Sequence, residues 1–200
     1  MFEYDVASMA MVNTDTHQIA RGLRQRDVAL LNALVVQYQY RLIRYFTYLV
    51  GRRDPVDDLV QETWLRILER GHSYDGQSRF EPWLFTVARN LAFDYMRKRP
   101  AFSLDSKDSP EPDLESLSPV SRAPSPFEQA ARTEDAQRLA HSLQMLEPIF
   151  REALVLRFQE DLSLQEMADV IGASVSTVSS RIYRGLAALR AQMEEGNNGS

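Results

Sequence analysis

Apolar side chains recur three and four positions apart along the N-terminal half of the chain, which is the spacing of amphipathic helices. The pattern predicts three helices, at about residues 30–50, 55–70 and 82–99. Their predicted ends coincide with residues that start or stop helices, namely Gly51, the Asp54–Pro55 pair, Gly71, Pro82 and Pro100. No segment shows the pattern of a strand.

The C-terminal half contains a pattern typical of two short helices joined by a glycine turn. Ser163 precedes Glu166 by three residues, the spacing of a capping box, and Gly172 ends the first helix. Ser174 or Ser176 can cap the second helix. The inward positions of that second helix recur at helical spacing and are Val178, Ile182, Leu186 and Leu189.

Two more helices are predicted before this pair, one around Leu139 and Leu143 and one starting at Pro148. Large side chains on the apolar stripes are expected to fill the core rather than to line a pocket. Those assigned to the interior include Tyr38, Leu59, Val60, Trp64, Ile67, Leu68, Phe150 and Phe158.

Between the two halves, prolines and serines are frequent and large apolar residues are rare, so this segment cannot bury a core of its own. The prediction is an all-α protein with two small helical domains joined by a flexible linker. Its divisions are a leader at 1–16, a helical domain at 17–99, the linker at 100–127, a helix-turn-helix domain at 128–194 and a tail at 195–200.

Composition narrows the functional classes. The 200 residues include no cysteine, and the three histidines lie far apart, so neither a disulfide framework nor a local metal or cofactor site is expected. The leader does not resemble a secretory signal, and no apolar run approaches the length of a membrane span. We therefore expect a cytoplasmic protein without membrane insertion.

A net charge of −5, taken alone, argues against a nucleic-acid partner. The acids, however, cluster in the predicted linker, and basic residues lie on either side of it. No acid occurs between Gly172 and Met193, where the outward side of the last helix carries serines, a threonine and two arginines. That face suits contacts with DNA phosphates and base edges, although a merely solvated face in a helical bundle remains an alternative.

A second surface with similar chemistry is predicted at the third N-terminal helix. Cations and an aromatic residue share its outward side, and a polar loop flanked by aromatics precedes it, a composition suited to stacking an unpaired base. An ordinary turn followed by a basic helix end is equally compatible with the loop. The residues concerned are Tyr74, Gln77, Ser78, Arg79, Phe80, Trp83, Arg89, Asn90, Phe93, Arg97, Lys98 and Arg99.

From about Asp27 to Met193, the chain resembles the extracytoplasmic-function group of bacterial RNA polymerase sigma factors. Residues 57–65 are similar to conserved region 2.2 of that family, and residues 80–84 and 88–90 with Asp94 to regions 2.3 and 2.4. Residues 163–184 are similar to region 4.2. The resemblance implies that the protein binds core RNA polymerase, recognises the −10 and −35 elements of promoter DNA and promotes melting without performing catalysis.

The resemblance also assigns roles to residues. Region 2.2 would dock on the clamp helices of the polymerase β′ subunit through Asp57, Asp58, Leu59, Gln61, Glu62 and Arg66. The polar loop would hold a flipped base of the −10 element, with Asn90 and Arg97 on the helix behind it. The −35 element would be contacted by Ser176, Thr177, Ser179, Ser180, Arg181, Tyr183 and Arg184.

Further partners implied by the resemblance are the polymerase β subunit and an anti-sigma factor. The linker would lie in the active-site cleft and RNA exit path, either imitating the charge of RNA or serving as a passive tether. Ser179 stands where relatives often have Lys or Arg, so the promoter sequence that is recognised does not follow from the family.

Two other classes of function compete with this interpretation. A self-sufficient regulator would bind duplex operator DNA through the helix-turn-helix without polymerase. An enzyme is disfavoured, because the sequence shows no His, Cys or paired-carboxylate cluster at catalytic spacing.

Overall fold

The computed structural model of the chain describes residues 15–98 and 138–197, with side chains to residue 194. Most of the predicted leader, the whole of the predicted linker and Arg99 lie outside the described residues. Throughout the described parts the regular structure is helical and no strand is present, so the prediction of an all-α protein with two helical units is confirmed.

Each unit is a short series of helices. The N-terminal unit comprises α1 (Thr16–Gln25), α2 (Val28–Val50), α3 (Val56–Arg70), a 3-10 turn (Gly71–Ser73) and α4 (Phe80–Lys98). The C-terminal unit comprises α5 (138–144), α6 (Pro148–Leu154), a π-helical turn (Val155–Gln159), α7 (Leu164–Ile171) and α8 (Val175–Asn197). None of these helices is long and apolar enough to cross a membrane.

Local sequence signals explain most of the helix ends. Gly51 and Gly172 adopt left-handed backbone conformations, with φ of 71° and 70°, and their N–H groups bond back to the preceding turn. Ser163 and Glu166 form the predicted capping box of α7. Of the two predicted caps for α8, Ser174 is the one used, since its Oγ accepts from the backbone N–H of Thr177 at 3.2 Å.

Three predicted helix starts were wrong by one or two residues, and the first is α2, which begins at Val28 rather than at about residue 30. Pro55, not Asp54, is the N-cap of α3, and no side chain caps this end; the Asp54 carboxylate instead accepts from Arg52 at 3.4 Å. Helix α4 begins at Phe80 rather than Pro82, because proline fits anywhere in the first turn, where its missing N–H has no intrahelical partner.

The core of the N-terminal unit lies around α2, whose Leu42, Tyr45, Phe46 and Leu49 are fully buried. Tyr45 packs against Phe85 of α4 with their ring centroids 5.2 Å apart. Tyr38, Leu59, Val60 and Ile67 are buried as predicted, and Trp64 and Phe150 are partly buried.

Three residues assigned to the interior lie outside instead. Phe158 is 64% exposed, because the π-helical turn shifts the helical repeat and turns this side chain outward. Leu68 is 41% exposed, since Ile67 takes the inward position of that turn. Leu186 is 37% exposed, because buried Gly185 is the residue of α8 that packs on α6.

The two units pack directly against each other. Helix α4 contacts α7, α2 contacts α6 and the π-helical turn, and the buried residues of both units form one continuous cluster. The sequence predicted two separate cores and did not predict this contact. We call this packing the closed arrangement.

Candidate nucleic-acid interface

The loop before α4, residues 74–79, presents polar side chains while its aromatic residues are buried. Tyr74 and Phe80 are each 2% exposed, and their rings pack edge to face with centroids 5.4 Å apart. The prediction that these two rings are available for stacking on a base is therefore wrong for this conformation, because the apolar core takes both. Asp75, Gln77, Ser78 and Arg79 are exposed.

The outward face of α4 is partly covered. Asn90, Arg97 and Lys98 are exposed, and Arg97 pairs with Asp94 at 2.8 Å. Trp83 and Phe93 are half-buried. Arg89 keeps only 20% of its side chain exposed, and its guanidinium lies over the Phe93 ring, 4.6 Å from the centroid.

The predicted −35 face of α8 is largely open at its N-terminal end. Ser176, Thr177, Ser180, Tyr183 and Arg184 are exposed, whereas Ser179 and Arg181 are half-buried. Arg181 Nη1 is buried and has no hydrogen-bond partner among the described residues. Beside it is an open cavity of about 320 Å³, lined by Ile149, Phe150, Ser176, Thr177, Ser180, Arg181 and Arg184.

Between the two predicted DNA-contacting helices lies a buried carboxylate, Glu152 of α6. Its Oε1 is 2.8 Å from Arg89 Nε of α4 and 3.5 Å from the Tyr45 hydroxyl of α2. Burial raises the pKa of Glu152 to about 7, and the charges of Arg89 and Arg181 only partly oppose this effect. One side chain of α6 thus interacts with an arginine of each predicted DNA-contacting helix.

Other ion pairs across the same interface strengthen the closed arrangement. Glu160, fully buried, lies 2.8 Å from Arg41 Nε and 3.6 Å from Arg44 Nη2. Loop residue Arg79 reaches Glu166 of α7 at 3.2 Å. Two cations predicted to contact DNA, Arg79 and Arg89, are therefore paired with carboxylates of the other unit.

Arg151 of α6 adds a polar contact to α2. Its Nη1 donates to the backbone carbonyl of Leu49 at 2.9 Å, and its Nη2 donates to the carbonyls of Gln144 and Leu146. Burial lowers the pKa of Arg151 to about 10. Since the guanidinium is 1% exposed and is bonded to both units, it ties α6 to the end of α2.

The predicted polymerase-binding face of α3 is accessible. Asp57, Asp58 and Gln61 are exposed, and Glu62 pairs with Arg66 at 2.7 Å. Leu59 is only 7% exposed and belongs to the core, so its inclusion in a contact surface was wrong.

Two apolar side chains on this same face were not predicted to belong to it. Leu65 is 53% exposed and Leu68 is 41% exposed. Positions 58, 61, 65 and 68 lie on one side of a helix, so continuing that spacing from Asp58 would have identified both leucines. Among residues 15–98 and 138–197, no group of His, Asp or Glu side chains is arranged to hold a metal ion.

Comparisons with known proteins agree with this geometry. Residues 34–101 match the family model of sigma-70 region 2, and residues 136–189 match that of sigma-70 region 4. The chain is similar to the ECF RNA polymerase sigma factor SigX of Bacillus subtilis, with 29% identity over 165 residues, covering 78% of this chain and 80% of that protein.

Solved structures of similar proteins have the same fold over nearly the whole chain. CnrH in complex with the cytosolic domain of CnrY matches with a TM-score of 0.66 and 26% identity, over 90% of this chain and 97% of that one. The sigma factor RpoE in complex with the anti-sigma factor NepR, from Bartonella quintana, gives a TM-score of 0.60 and 25% identity, over 87% and 98%. Both sigma-70 regions are matched in the expected order, and the chain therefore belongs to the extracytoplasmic-function group of the sigma-70 family, whose members act in transcription initiation.

Proposed function

We propose that this protein binds core RNA polymerase in the cytoplasm, directs it to promoters with a −10 and a −35 element, and promotes melting at the −10 element. The observation that supports this most strongly is the acid-free outer face of α8, with Ser176, Thr177, Ser180 and Arg184 exposed at the N-terminal end of the second helix of a helix-turn-helix.

Each unit has its own proposed task. The exposed acidic and apolar side of α3 binds the polymerase, since mixed charged and apolar surfaces are typical of protein interfaces. The α8 face contacts the −35 element. Loop 74–79, together with Asn90, Arg97 and Lys98 of α4, holds the unpaired strand of the −10 element through hydrogen bonds to base edges and contacts with phosphates.

Promoter binding requires the closed arrangement to open. Two promoter elements about two duplex turns apart are separated by roughly 70 Å. With α4 packed on α7, the −10 and −35 surfaces cannot span that distance. Opening also releases Arg89 from the buried carboxylate of Glu152, so that a phosphate can replace it as the partner of Arg89.

An anti-sigma protein is a second proposed partner. RpoE of Bartonella quintana, which has the same fold, was solved with one. A protein that binds both units of this chain at once would favour the closed arrangement by mass action.

Reconstituted transcription tests the proposal. Core polymerase with this protein should start transcripts at discrete promoters in a genomic library, whereas core polymerase alone should not. The self-sufficient regulator is the competing candidate, and it predicts specific binding to duplex DNA without polymerase in a gel-shift assay. Failure of the protein to direct initiation at any promoter would contradict the proposal.

A further inference from the structure

We propose that Thr16 of α1 and Tyr74 are positioning residues, which hold loop 74–79 in the conformation that selects the flipped base of the −10 element. This inference rests on the proposed function, because it assumes that the loop contacts promoter DNA. It adds a role for α1, a helix that the sequence did not predict and that matches no part of the sigma-70 region 2 model.

The first contact joins α1 to the loop across sixty residues of sequence. The Thr16 hydroxyl, Oγ1, donates to the backbone carbonyl of Gly76 at 2.6 Å, in a partly buried position. Thr16 is the first residue of α1, and Asp15 caps that end by accepting from the N–H of His17. A capped helix end therefore supports the middle of the loop.

Glycine is required where the two segments meet. Gly76 has a φ of +79°, which favours glycine. A Cβ at this position would lie 2.9 Å from the Thr16 carbonyl oxygen and 3.1 Å from the Ala20 Cβ. Helix α1 thus rests directly on the loop backbone, with no space for a side chain between them.

The second contact comes from the core side of the loop. The Tyr74 hydroxyl donates to the Ser78 carbonyl at 2.6 Å, and its ring packs against Phe80 and Trp83 with centroids 5.4 and 5.5 Å away. Inside the loop, the Asp75 carboxylate accepts from the Gln77 N–H at 2.9 Å. The backbone is held from both sides.

This double support explains how an exposed loop can discriminate between bases. The hydrogen bonds to the carbonyls of residues 76 and 78 fix the shape of the loop backbone. The exposed side chains of Gln77, Ser78 and Arg79 project from this fixed backbone. A preorganised loop loses little entropy when a base binds, and its hydrogen-bonding groups cannot rearrange to accept a wrong base. Removing one support should therefore reduce selectivity more than it reduces folding.

The test measures base preference rather than activity alone. Thr16→Val removes the hydroxyl while keeping the side-chain shape, Thr16→Ser keeps the hydroxyl, and Tyr74→Phe removes the second bond. Ser73→Ala is the matched control, since the exposed Ser73 hydroxyl bonds to the Arg70 carbonyl at the end of α3 and not to the loop. Each full-length variant is assayed with core polymerase for open-complex formation on promoters that differ only in the non-template bases of the −10 element.

Thr16→Val and Tyr74→Phe are each expected to lower the ratio of preferred to non-preferred promoters by about two- to tenfold, the range equivalent to one net hydrogen bond. Core affinity should stay unchanged, and Thr16→Ser and Ser73→Ala should keep the wild-type ratio. Wild-type selectivity in Thr16→Val and Tyr74→Phe, or equal loss in Ser73→Ala or Thr16→Ser, would overturn the inference. Failure of the proposed function is distinct, because the wild-type protein would then show no promoter-specific open complex.

Discussion

The proposed polymerase-binding side of α3 and two of the proposed DNA contacts, Arg79 and Arg89, differ in how they are held in the closed arrangement. Asp57, Asp58 and Gln61 project into solvent, while Arg89 is four-fifths buried and pairs with Glu152 across the unit interface. The difference indicates an order of events. The α3 side is available for polymerase at once, whereas Arg79 and Arg89 lose their carboxylate partners, and become free to contact DNA, only after the units separate.

Electrostatics reinforces this comparison. The buried carboxylate of Glu152 competes with phosphate for Arg89 of the other unit, and it does so at high effective concentration because it belongs to the same chain. Free protein should accordingly bind DNA weakly. The cost of opening must be offset by contacts with the polymerase, which can hold the two units apart.

The largest effect is expected from reversing a charge at the interface. Glu160→Arg would place a third cation beside Arg41 and Arg44, and the loss of a buried ion pair costs about 3–5 kcal/mol. The closed arrangement should be lost. Spin labels at Val36→Cys and Met193→Cys, two exposed positions in a chain without cysteine, measure this as a longer interlabel distance.

The control for this variant is Asp169→Arg, at an exposed position on α7. It should leave the interlabel distance unchanged, and circular dichroism should show that both variants remain helical. A wild-type distance in Glu160→Arg would mean that the ion pairs contribute little to holding the units together.

A slightly smaller effect is expected at the free α3 side. Asp58→Arg should weaken binding to core polymerase by at least about 30-fold, since a like charge placed against a charged interface costs several kcal/mol. Equilibrium binding to labelled core enzyme measures this affinity. Asp169→Arg, which makes the same charge reversal elsewhere, again serves as the matched control. Because Asp58 is outside the unit interface, Asp58→Arg should keep the wild-type interlabel distance. If Asp58→Arg binds core polymerase with wild-type affinity, α3 is not part of the docking surface.

Truncation on α8 should act only on promoter recognition. Arg181→Ala or Arg184→Ala is expected to weaken use of the −35 element by about 1–3 kcal/mol if the arginine makes a bidentate base contact. Transcription from promoters with and without a −35 element separates this effect from core binding. Arg190→Ala, at an exposed position farther along α8, is the control and should change neither use of the −35 element nor core binding.

The smallest effect is a dependence of opening on pH. Burial raises the pKa of Glu152 to about 7 in the closed arrangement, and opening removes the part of that burial that comes from α2 and α4. The closed form therefore binds the proton more tightly than the open form, and its stability falls as pH rises through about 7. Between pH 6 and 8 the ratio of closed to open protein should fall, by at most about tenfold, because a full unit of pKa is worth about 1.4 kcal/mol.

Interlabel distance distributions across this pH range provide the measurement. Glu152→Gln cannot titrate, so it should remove the pH dependence contributed by this position. An identical pH profile in Glu152→Gln would assign the effect to another group.

Most of the helices, though not α1, could be predicted because their signals are local. Gly51 and Gly172 end helices through their own backbone freedom, and the Ser163–Glu166 box is complete within four residues. The predictions were wrong where contacts between residues far apart in sequence, or an irregular helical turn, determine whether a side chain is buried. Phe158 fits the apolar helical repeat in the sequence, but it lies on a π-helical turn and is exposed. Tyr74 lies in a polar loop, where an exposed ring is expected, but its ring is buried in the core beneath the loop.

The interface between the units was beyond sequence reasoning for a related reason. Glu152 and Glu160 fit ordinary solvated helix positions in the sequence, and only the packing of α6 on α2 makes them buried. The positions of the proposed −35 contacts on α8 follow from the helix-turn-helix pattern, whereas the coverage of Arg89 depends on residues more than sixty positions away.

The central claim is that the two units are packed together in the free protein and separate on the promoter. The distance between spin labels at Val36→Cys and Met193→Cys tests it directly, when it is measured by pulsed electron paramagnetic resonance in the free protein and in its complex with core polymerase and promoter DNA. One narrow distance distribution is expected in the free protein, and a clearly longer distance is expected in the complex. The same distance in both states, or a long and broad distribution in the free protein, would contradict the central claim.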